Sequence, residues 1–227
     1  MNNQFIPEIK GGLRKFRLKV PEEIQECSGI RIFGRRIKSA LFSTDVSIIR
    51  NNNADSIIAV YPFTPQPVIT QALMATADVP VFVGVGGGLT QGLRVINLAL
   101  HAEFQGAMGV VVNAPTKNKT IRDLKLSIDI PVIVTVVSEH ENVAKRIEAG
   151  ADILNVCAAD KTPQLVSKIR NEFPEIPIIA TGGATVETIL STITAGANAI
   201  TWTPPSNGEV FKKIMRAYRK GESHPEF

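Results

Sequence analysis

Eight short apolar runs, most of them rich in Val and Ile, recur along the chain, and this repeat restricts the fold more than any other feature. Successive runs begin 18 to 28 residues apart. Each run is too short for a helix and lacks polar alternation, which is typical of strands that are buried on both faces of a parallel sheet. The runs cover residues 38–42, 56–60, 80–85, 108–112, 131–136, 152–156, 177–181 and 198–202.

The segments between the runs show helical periodicity. Apolar residues recur three or four positions apart, as at Leu165, Val166 and Ile169. Ala-Gly-Ala tripeptides at 149–151 and 195–197 indicate the ends of two helices. Eight strand-then-helix units of similar length predict a (β/α)8 barrel of the TIM type. A doubly wound open sheet is the alternative, and the even spacing of eight units argues against it.

No linker interrupts this pattern, so we expect one domain over residues 1–227. The barrel is expected to occupy residues 38–220, and residues 1–37 are expected to form an N-terminal cap. Within that cap, a short helix and a hairpin around residues 30–38 are predicted to cover the bottom of the barrel.

Composition excludes several classes of protein. Of the 227 residues, 44% are apolar and only two are Cys, which excludes a disordered chain and a disulfide scaffold. No apolar run reaches the ~20 residues of a membrane helix, so we expect a cytoplasmic protein without a membrane partner. The net charge of +4 comes from the two ends of the chain. One short basic cluster at 13–19 does not indicate a nucleic-acid partner. A homo-oligomer is left open.

The most informative candidate site is the stretch from Thr181 to Thr185, which has the sequence Thr-Gly-Gly-Ala-Thr. In barrels of this type the site lies at the carboxyl ends of the strands, and the last two loops commonly hold phosphate. Gly182 and Gly183 separate a predicted strand from a helix N-terminus, where backbone N–H groups and the helix dipole favour an anion. A tight structural turn is the alternative interpretation. The second phosphate contact is expected from the last loop, at Ser206, Asn207 and Gly208.

A second glycine-rich loop follows the third predicted strand. Gly86, Gly87 and Gly88 lack the spacing of a dinucleotide fingerprint. They predict either a ligand lying close to the backbone at the barrel mouth or a simple turn, and the sequence does not choose between the two.

Three polar residues are the candidate catalytic groups. Asp45 follows the first predicted strand and is the best candidate acid/base, although it could equally cap the next helix. Asn113 and Asn155 follow or end predicted strands, and their amides suit substrate hydroxyls or an enolate. Cys157 is a candidate nucleophile, but packing is the favoured interpretation for a lone cysteine.

The sequence lacks the residue patterns that a metal site or a Schiff-base aldolase requires. His101, His140 and His224 are far apart in the sequence, and neither HxH, HExxH nor CxxC spacing occurs. We therefore expect no metal site. No lysine lies in the upper half of a predicted strand, which disfavours a Schiff-base aldolase.

Three segments carry a resemblance to known families. Residues 130–156 resemble the region from the fifth to the sixth strand of aldolase-type barrels of the IMP dehydrogenase, GMP reductase and nitronate monooxygenase group. Residues 176–200 resemble the phosphate loop of the same families and, equally, of ribulose-phosphate-binding barrels. Residues 33–45 are similar to the first strand of the flavin-type barrels.

This resemblance to the phosphate-binding superfamily of aldolase-type TIM barrels implies phosphate contacts at Gly182 and Gly183. The chain departs from the pattern in the last strand, where residues 203–205 replace the usual Gly-Ser or Gly-Thr. The catalytic cysteine loop of IMP dehydrogenases is absent, although Cys157 lies near its place.

The sequence therefore predicts a metal-independent enzyme that acts on a small phosphorylated metabolite, of isomerase, epimerase or lyase type, without a cofactor. One alternative is an FMN-dependent oxidoreductase, in which the same loop holds the flavin phosphate. The other is a non-catalytic metabolite-binding barrel.

Overall fold

Eight parallel strands close into a barrel in the computed structural model, which describes residues 7, 9 and 11–227. Each strand pairs with the strand before it and the strand after it, and the last strand pairs with the first. The predicted (β/α)8 barrel is confirmed, and the open-sheet alternative is wrong. The strands are β3 (Ser39–Phe42), β4 (Ser56–Ala59), β5 (Val81–Gly86), β6 (Gly109–Val112), β7 (Val132–Val136), β8 (Ile153–Val156), β9 (Ile178–Thr181) and β10 (Ala199–Trp202).

An α-helix follows each barrel strand, because the connection between two parallel strands must return along the outside of the sheet. The helices α5 and α7 end immediately before the two Ala-Gly-Ala tripeptides, as the sequence predicts. The helices are α1 (Val46–Arg50), α2 (Pro67–Thr76), α3 (Leu93–Phe104), α4 (Asn118–Ser127), α5 (Val143–Glu148), α6 (Thr162–Glu172), α7 (Val186–Thr194) and α8 (Asn207–Arg219). None of the described helices is long and apolar enough to cross a membrane.

The strands are buried on both faces, which explains why the apolar runs show no alternation. Successive side chains point alternately outward to the helices and inward to the barrel axis. The outward residues form a continuous core with the helices. The inward residues form a second cluster inside the barrel, which consists of Ala40, Ile58, Phe82, Val111, Ile133, Ile153, Ile179 and Ala199.

A hairpin packs against this inner cluster from the amino-terminal end of the barrel. It consists of β1 (Ile30–Ile32) and β2 (Arg35–Ile37) and pairs Ile30 with Ile37. Ile30, Ile32 and Ile37 are buried against the inner cluster, so the predicted hairpin is present beneath the barrel. The short helix predicted upstream is a single 3-10 segment, Glu22–Glu26. Apolar side chains therefore fill most of the bottom of the barrel, where the buried Ser56 hydroxyl donates to the Ser39 carbonyl at 3.0 Å.

We expect Phe82→Ala to lower the free energy of unfolding by about 3–5 kcal/mol, because Phe82 is fully buried inside the barrel and its loss leaves a cavity. Denaturant unfolding measures the change. The matched control is Phe104→Ala, since Phe104 is 78% exposed at the end of α3; its effect should stay within about 0.5 kcal/mol. Equal losses in the two variants would contradict this description of the core.

Candidate functional site

A polar layer lies above the aliphatic cluster inside the barrel, towards the carboxyl ends of the strands. Thr135 and Asn155 are register partners on β7 and β8, and Thr181 and Thr201 are register partners on β9 and β10. Each lies two residues beyond a member of the inner cluster, so all four side chains point inward. We call these four residues the polar floor. They place hydroxyl and amide groups at the base of the barrel mouth.

Two atoms of the polar floor are buried without a hydrogen-bond partner among the described residues, namely Asn155 Oδ1 and Thr201 Oγ1. The other end of the Asn155 amide, Nδ2, donates to Thr135 Oγ1 at 3.3 Å. Thr201 is only 6% exposed. A buried polar atom without a partner costs about 1–3 kcal/mol. Both atoms lie at the base of the barrel mouth, which makes them candidates for contact with a bound molecule.

A cavity of about 420 Å³ opens on the β4, β5 and β6 side of the mouth. It contains three of the predicted ligand-loop residues and one of the predicted catalytic residues. Its lining bears no charged side chain: Val60, Tyr61, Pro62, Phe63, Thr64, Pro65, Gly84, Gly86, Gly87, Gly88, Leu89, Thr90 and Asn113. An uncharged cavity of this size suits a neutral, partly apolar portion of a small ligand.

The glycine loop and Asn113 are brought together by a close backbone approach. The N–H of Asn113 donates to the carbonyl of Gly86 at 3.0 Å. Gly87 has φ +104, and a Cβ built on it would lie 2.5 Å from Asn113 Cβ. A side chain at position 87 would therefore collide with the end of β6. The turn interpretation accounts for Gly87. The loop also lines the cavity, and a ligand beside its backbone stays a prediction.

Asp45 is the N-cap of α1, which was the alternative interpretation of this residue. Its Oδ1 accepts from the backbone N–H of Ser47 at 2.9 Å and of Ile48 at 3.2 Å, and from the Ser47 hydroxyl at 2.7 Å. Burial raises the pKa of Asp45, but these hydrogen bonds and one from Asn207 outweigh it and hold the pKa below its usual value. The carboxylate is therefore ionised at neutral pH, where it can only accept a proton. Its catalytic role stays a prediction.

The last loop uses two of its predicted phosphate contacts in local hydrogen bonds. Asn207 Nδ2 donates to Asp45 Oδ2 at 2.5 Å, which joins the start of α8 to the start of α1. Ser206 caps α8, and its N–H and hydroxyl both donate to the Glu209 carboxylate, at 2.8 and 2.7 Å. Gly208, in the first turn of α8, has open space where a side chain would lie.

The double-glycine loop after β9 is tightly packed. A Cβ on Gly182 would lie 2.6 Å from Ile200 Cγ2, and one on Gly183, which has φ +78, would lie 2.4 Å from Thr188 Oγ1. Local packing therefore accounts for both glycines. At the start of α7, the exposed Glu187 carboxylate accepts hydrogen bonds from its own N–H and from Thr185, which lowers its pKa. A carboxylate thus lies at each of the two helix N-termini predicted to hold phosphate.

Thr135 and Thr201, two members of the polar floor, are not among the residues predicted from the sequence. Thr135 and Thr201 lie within strands, whereas the sequence analysis examined residues that follow strands. The available signal was the two-residue alternation: each lies two positions after an inward-facing aliphatic or Ala residue. Cys157 is exposed just beyond β8, so the packing interpretation is wrong. A reactive role for Cys157 stays a prediction. Among residues 11–227, no three His, Cys, Asp or Glu residues are placed so that they could hold a metal ion.

The fold is shared with solved structures of low sequence identity. Thiamine phosphate pyrophosphorylase from Pyrococcus furiosus is 19% identical, with a TM-score of 0.56 over 73% of this chain and 84% of that one. The 4-hydroxy-tetrahydrodipicolinate synthase from Methylacidiphilum fumariolicum is 16% identical, with a TM-score of 0.58 over 81% and 74%. A mandelate oxidase is 13% identical, with a TM-score of 0.61 over 78% and 68%.

The chain is therefore a TIM barrel similar in structure to aldolase-type barrels, as the sequence resemblance predicted. No family model matches the sequence, and no protein with a curated description matches it. The names of the three structures describe different reactions. The similarity consequently establishes the fold alone. The reaction has to be inferred from the residues at the barrel mouth.

We expect Asp45→Ala to lower the free energy of unfolding by about 1 kcal/mol at neutral pH, because the cap of α1 is lost. Since the folded pKa lies below the unfolded value of about 3.9, this stabilisation is present above that value and is lost as the pH falls through the folded pKa. Denaturant unfolding at several pH values measures the difference.

The control for this variant is Asp45→Asn, because asparagine also caps helices. It should retain most of the stability at neutral pH. A wild-type advantage over Asp45→Ala that stays constant down to the lowest pH tested would show that the ionised carboxylate is not what stabilises α1.

Proposed function

We propose that this chain is an enzyme that acts on a small phosphorylated metabolite at the barrel mouth, by isomerase, epimerase or lyase chemistry. The observation that carries the proposal is the polar floor, in which the buried Asn155 Oδ1 and Thr201 Oγ1 have no hydrogen-bond partner among the described residues. A structural core gains nothing from unpaired polar atoms. A substrate hydroxyl can donate to Asn155 Oδ1, and Thr201 Oγ1 can donate to a substrate carbonyl or hydroxyl oxygen.

In this proposal, different residues of the barrel mouth bind different parts of the substrate. Asn155 and Thr201 bind the oxygen atoms at the reacting end of the substrate, and Asn113 contacts its neutral portion in the uncharged cavity. The phosphate is proposed to bind at the loops after β9 and β10, through Gly182, Gly183 and the 206–208 segment. Because Glu187 and Glu209 carboxylates lie at these helix starts, the phosphate must displace them or bind beside them.

An FMN-dependent oxidoreductase is the second candidate. The uncharged cavity lined by Tyr61, Phe63 and the glycine backbone favours it, because a flat, neutral ring system could lie there. Bound flavin would supply redox chemistry, and the phosphate would use the same loops as above. A yellow preparation with a flavin absorbance band supports this candidate, and a colourless protein that does not bind added FMN removes it.

Native mass spectrometry of the purified protein separates these candidates. A retained phosphate ester supports the main proposal, and a retained flavin supports the second. Crystals soaked in phosphate provide a direct check of the loop, because density at Gly182 and Gly183 is expected. If the protein retains a ligand without a phosphate group and the soaked loop stays empty, the substrate class is wrong. A binder without turnover on that ligand would leave the non-catalytic alternative.

Thr201→Val should weaken the binding of the retained ligand about tenfold while leaving the free energy of unfolding unchanged or raising it by up to about 1 kcal/mol. The reason is that valine removes a buried hydroxyl that has no protein partner. Ligand occupancy in native mass spectrometry and denaturant unfolding measure the two effects.

Thr192→Val is the matched control for the Thr201 variant. Thr192 is also buried, but its hydroxyl donates to the Thr188 carbonyl at 2.7 Å within α7. Its replacement should leave ligand binding unchanged. If Thr201→Val destabilises the fold and leaves the ligand bound, the hydroxyl serves the structure and the polar floor is not the substrate site.

Glu187→Gln tests where the phosphate binds. Removing a carboxylate from the start of α7 should strengthen the binding of inorganic phosphate about two- to fivefold, since the helix dipole then acts on the phosphate alone. Isothermal titration calorimetry at constant ionic strength measures it, with Glu172→Gln, at the far end of α6, as the control. Unchanged affinity would place the phosphate elsewhere.

A further inference from the structure

A second cavity, of about 500 Å³, lies between the loops that follow β7 and β8, away from the loops predicted to hold phosphate. Val137 directly follows β7, and Ala158 lies two residues beyond the end of β8. The cavity is therefore on the same side of the mouth as Thr135 and Asn155 of the polar floor. Its lining is Val137, Ser138, Glu139, His140, Ala158, Lys161, Gln164, Leu165 and Lys168.

Positive charge converges on this cavity. Lys161 and Lys168 approach it from the start and the middle of α6, and His140 approaches from the loop after β7. Neither lysine forms an ion pair within the described part of the chain. The polar contact of Lys168 is with the backbone carbonyl of Glu139, at 3.5 Å. Glu139 supplies the acidic side chain of the lining, so two lysines face one carboxylate there.

This arrangement differs from that of the buried arginine nearby. Arg146 is already bonded to the carbonyl of Ala114, at 2.5 Å, and to the Asn118 side chain, at 2.8 Å, and it lies 3.5 Å from the Glu141 carboxylate. Those contacts hold the loop after β6 in place. Within the described part of the chain the two lysines of the second cavity pair with no carboxylate, and the long contact of Lys168 with the Glu139 carbonyl leaves its charge available to a ligand.

The helix dipole adds to the charge of the side chains. Gln164 and Leu165 lie in the first turn of α6, which begins at Thr162 and has 11 residues, so the positive end of this helix faces the cavity. Ser138 and Gln164 offer a hydroxyl and an amide as neutral donors. Val137, Ala158 and Leu165 supply the apolar part of the wall.

We propose that the cavity between the β7 and β8 loops is a binding site for a phosphate dianion, held by Lys161, Lys168 and the start of α6, with hydrogen bonds from Ser138 and Gln164. Two facing lysines match a doubly charged anion better than a single carboxylate. The site does not depend on the proposed function, because it would bind phosphate whether or not the chain is an enzyme. It also supplies lysine side chains, which the loops after β9 and β10 do not contain.

Titration with inorganic phosphate at constant ionic strength and constant pH tests this site. We expect saturable binding by the wild-type protein and a loss of tenfold or more in affinity in the double variant Lys161→Gln, Lys168→Gln. The His140 imidazole signals in an NMR titration should shift with the same midpoint, which locates the phosphate. Acetate, a monoanion, should bind more weakly.

The matched control is Lys119→Gln, Lys220→Gln, which removes the same charge from two exposed lysines that pair with Asp123 and Glu222. It should keep wild-type affinity. Because Lys161 and Lys168 are exposed, the test variant should fold, and the two single variants provide a second measurement. Equal weakening in both double variants, unshifted His140 signals, or the absence of saturable binding by the wild type would overturn the proposal.

The Glu187 variant separates this proposal from the proposed function. If phosphate affinity responds to Glu187→Gln and not to the two lysines, the loop after β9 holds phosphate and the second cavity does not. If it responds to the lysines alone, the second cavity holds phosphate, and the substrate of the proposed function must use a different anchor.

Discussion

Closure of the eight parallel strands is the constraint on which the rest of the molecule depends. A closed barrel satisfies the backbone hydrogen bonds of every strand and leaves an interior that side chains must fill. Aliphatic residues fill it from below, and the hairpin with Ile30, Ile32 and Ile37 packs beneath them. The interior polar groups that lack a protein partner among the described residues lie towards the carboxyl ends of the strands. The polar floor lies where the aliphatic cluster stops.

Charge and hydrogen bonding differ between parts of the carboxyl-end face of the barrel. The proposed function rests on these differences. Between β4 and β6 the lining is uncharged and partly aromatic. At the starts of α1, α7 and α8, Asp45, Glu187 and Glu209 accept hydrogen bonds from the helix ends themselves. Beside β7 and β8 the lysines lack such partners. The proposed substrate phosphate binds at the loops after β9 and β10, and the site proposed beside β7 and β8 is separate from it.

Sequence patterns predicted most of the architecture and some of the residues that lie at the barrel mouth. All eight strands lie within one residue of their predicted bounds, because the apolar runs record burial on both faces. The proximity of Asn113 to the glycine loop was open to prediction, since both follow neighbouring strands. The polar floor was harder to find, because Thr135 and Thr201 are interior strand residues whose importance depends on which way the alternation points. Nothing in the sequence indicates that Lys161 and Lys168 line one cavity together with the loop after β7.

The sequence by itself determined that strands alternate with helices eight times, where they lie, and which loops meet at one end. Those properties follow from local periodicity and from the direction that parallel strands impose. Only the tertiary structure decided how each polar group is used. It assigned Asp45 and Asn207, 162 residues apart in the chain, to one hydrogen bond at a helix start. It left the Thr201 hydroxyl without a partner among the described residues, and it brought Lys161 and Lys168 to one cavity. A hydrogen bond forms only within a donor–acceptor range of a few tenths of an ångström. Local sequence patterns do not record the distances between residues that are far apart in the chain.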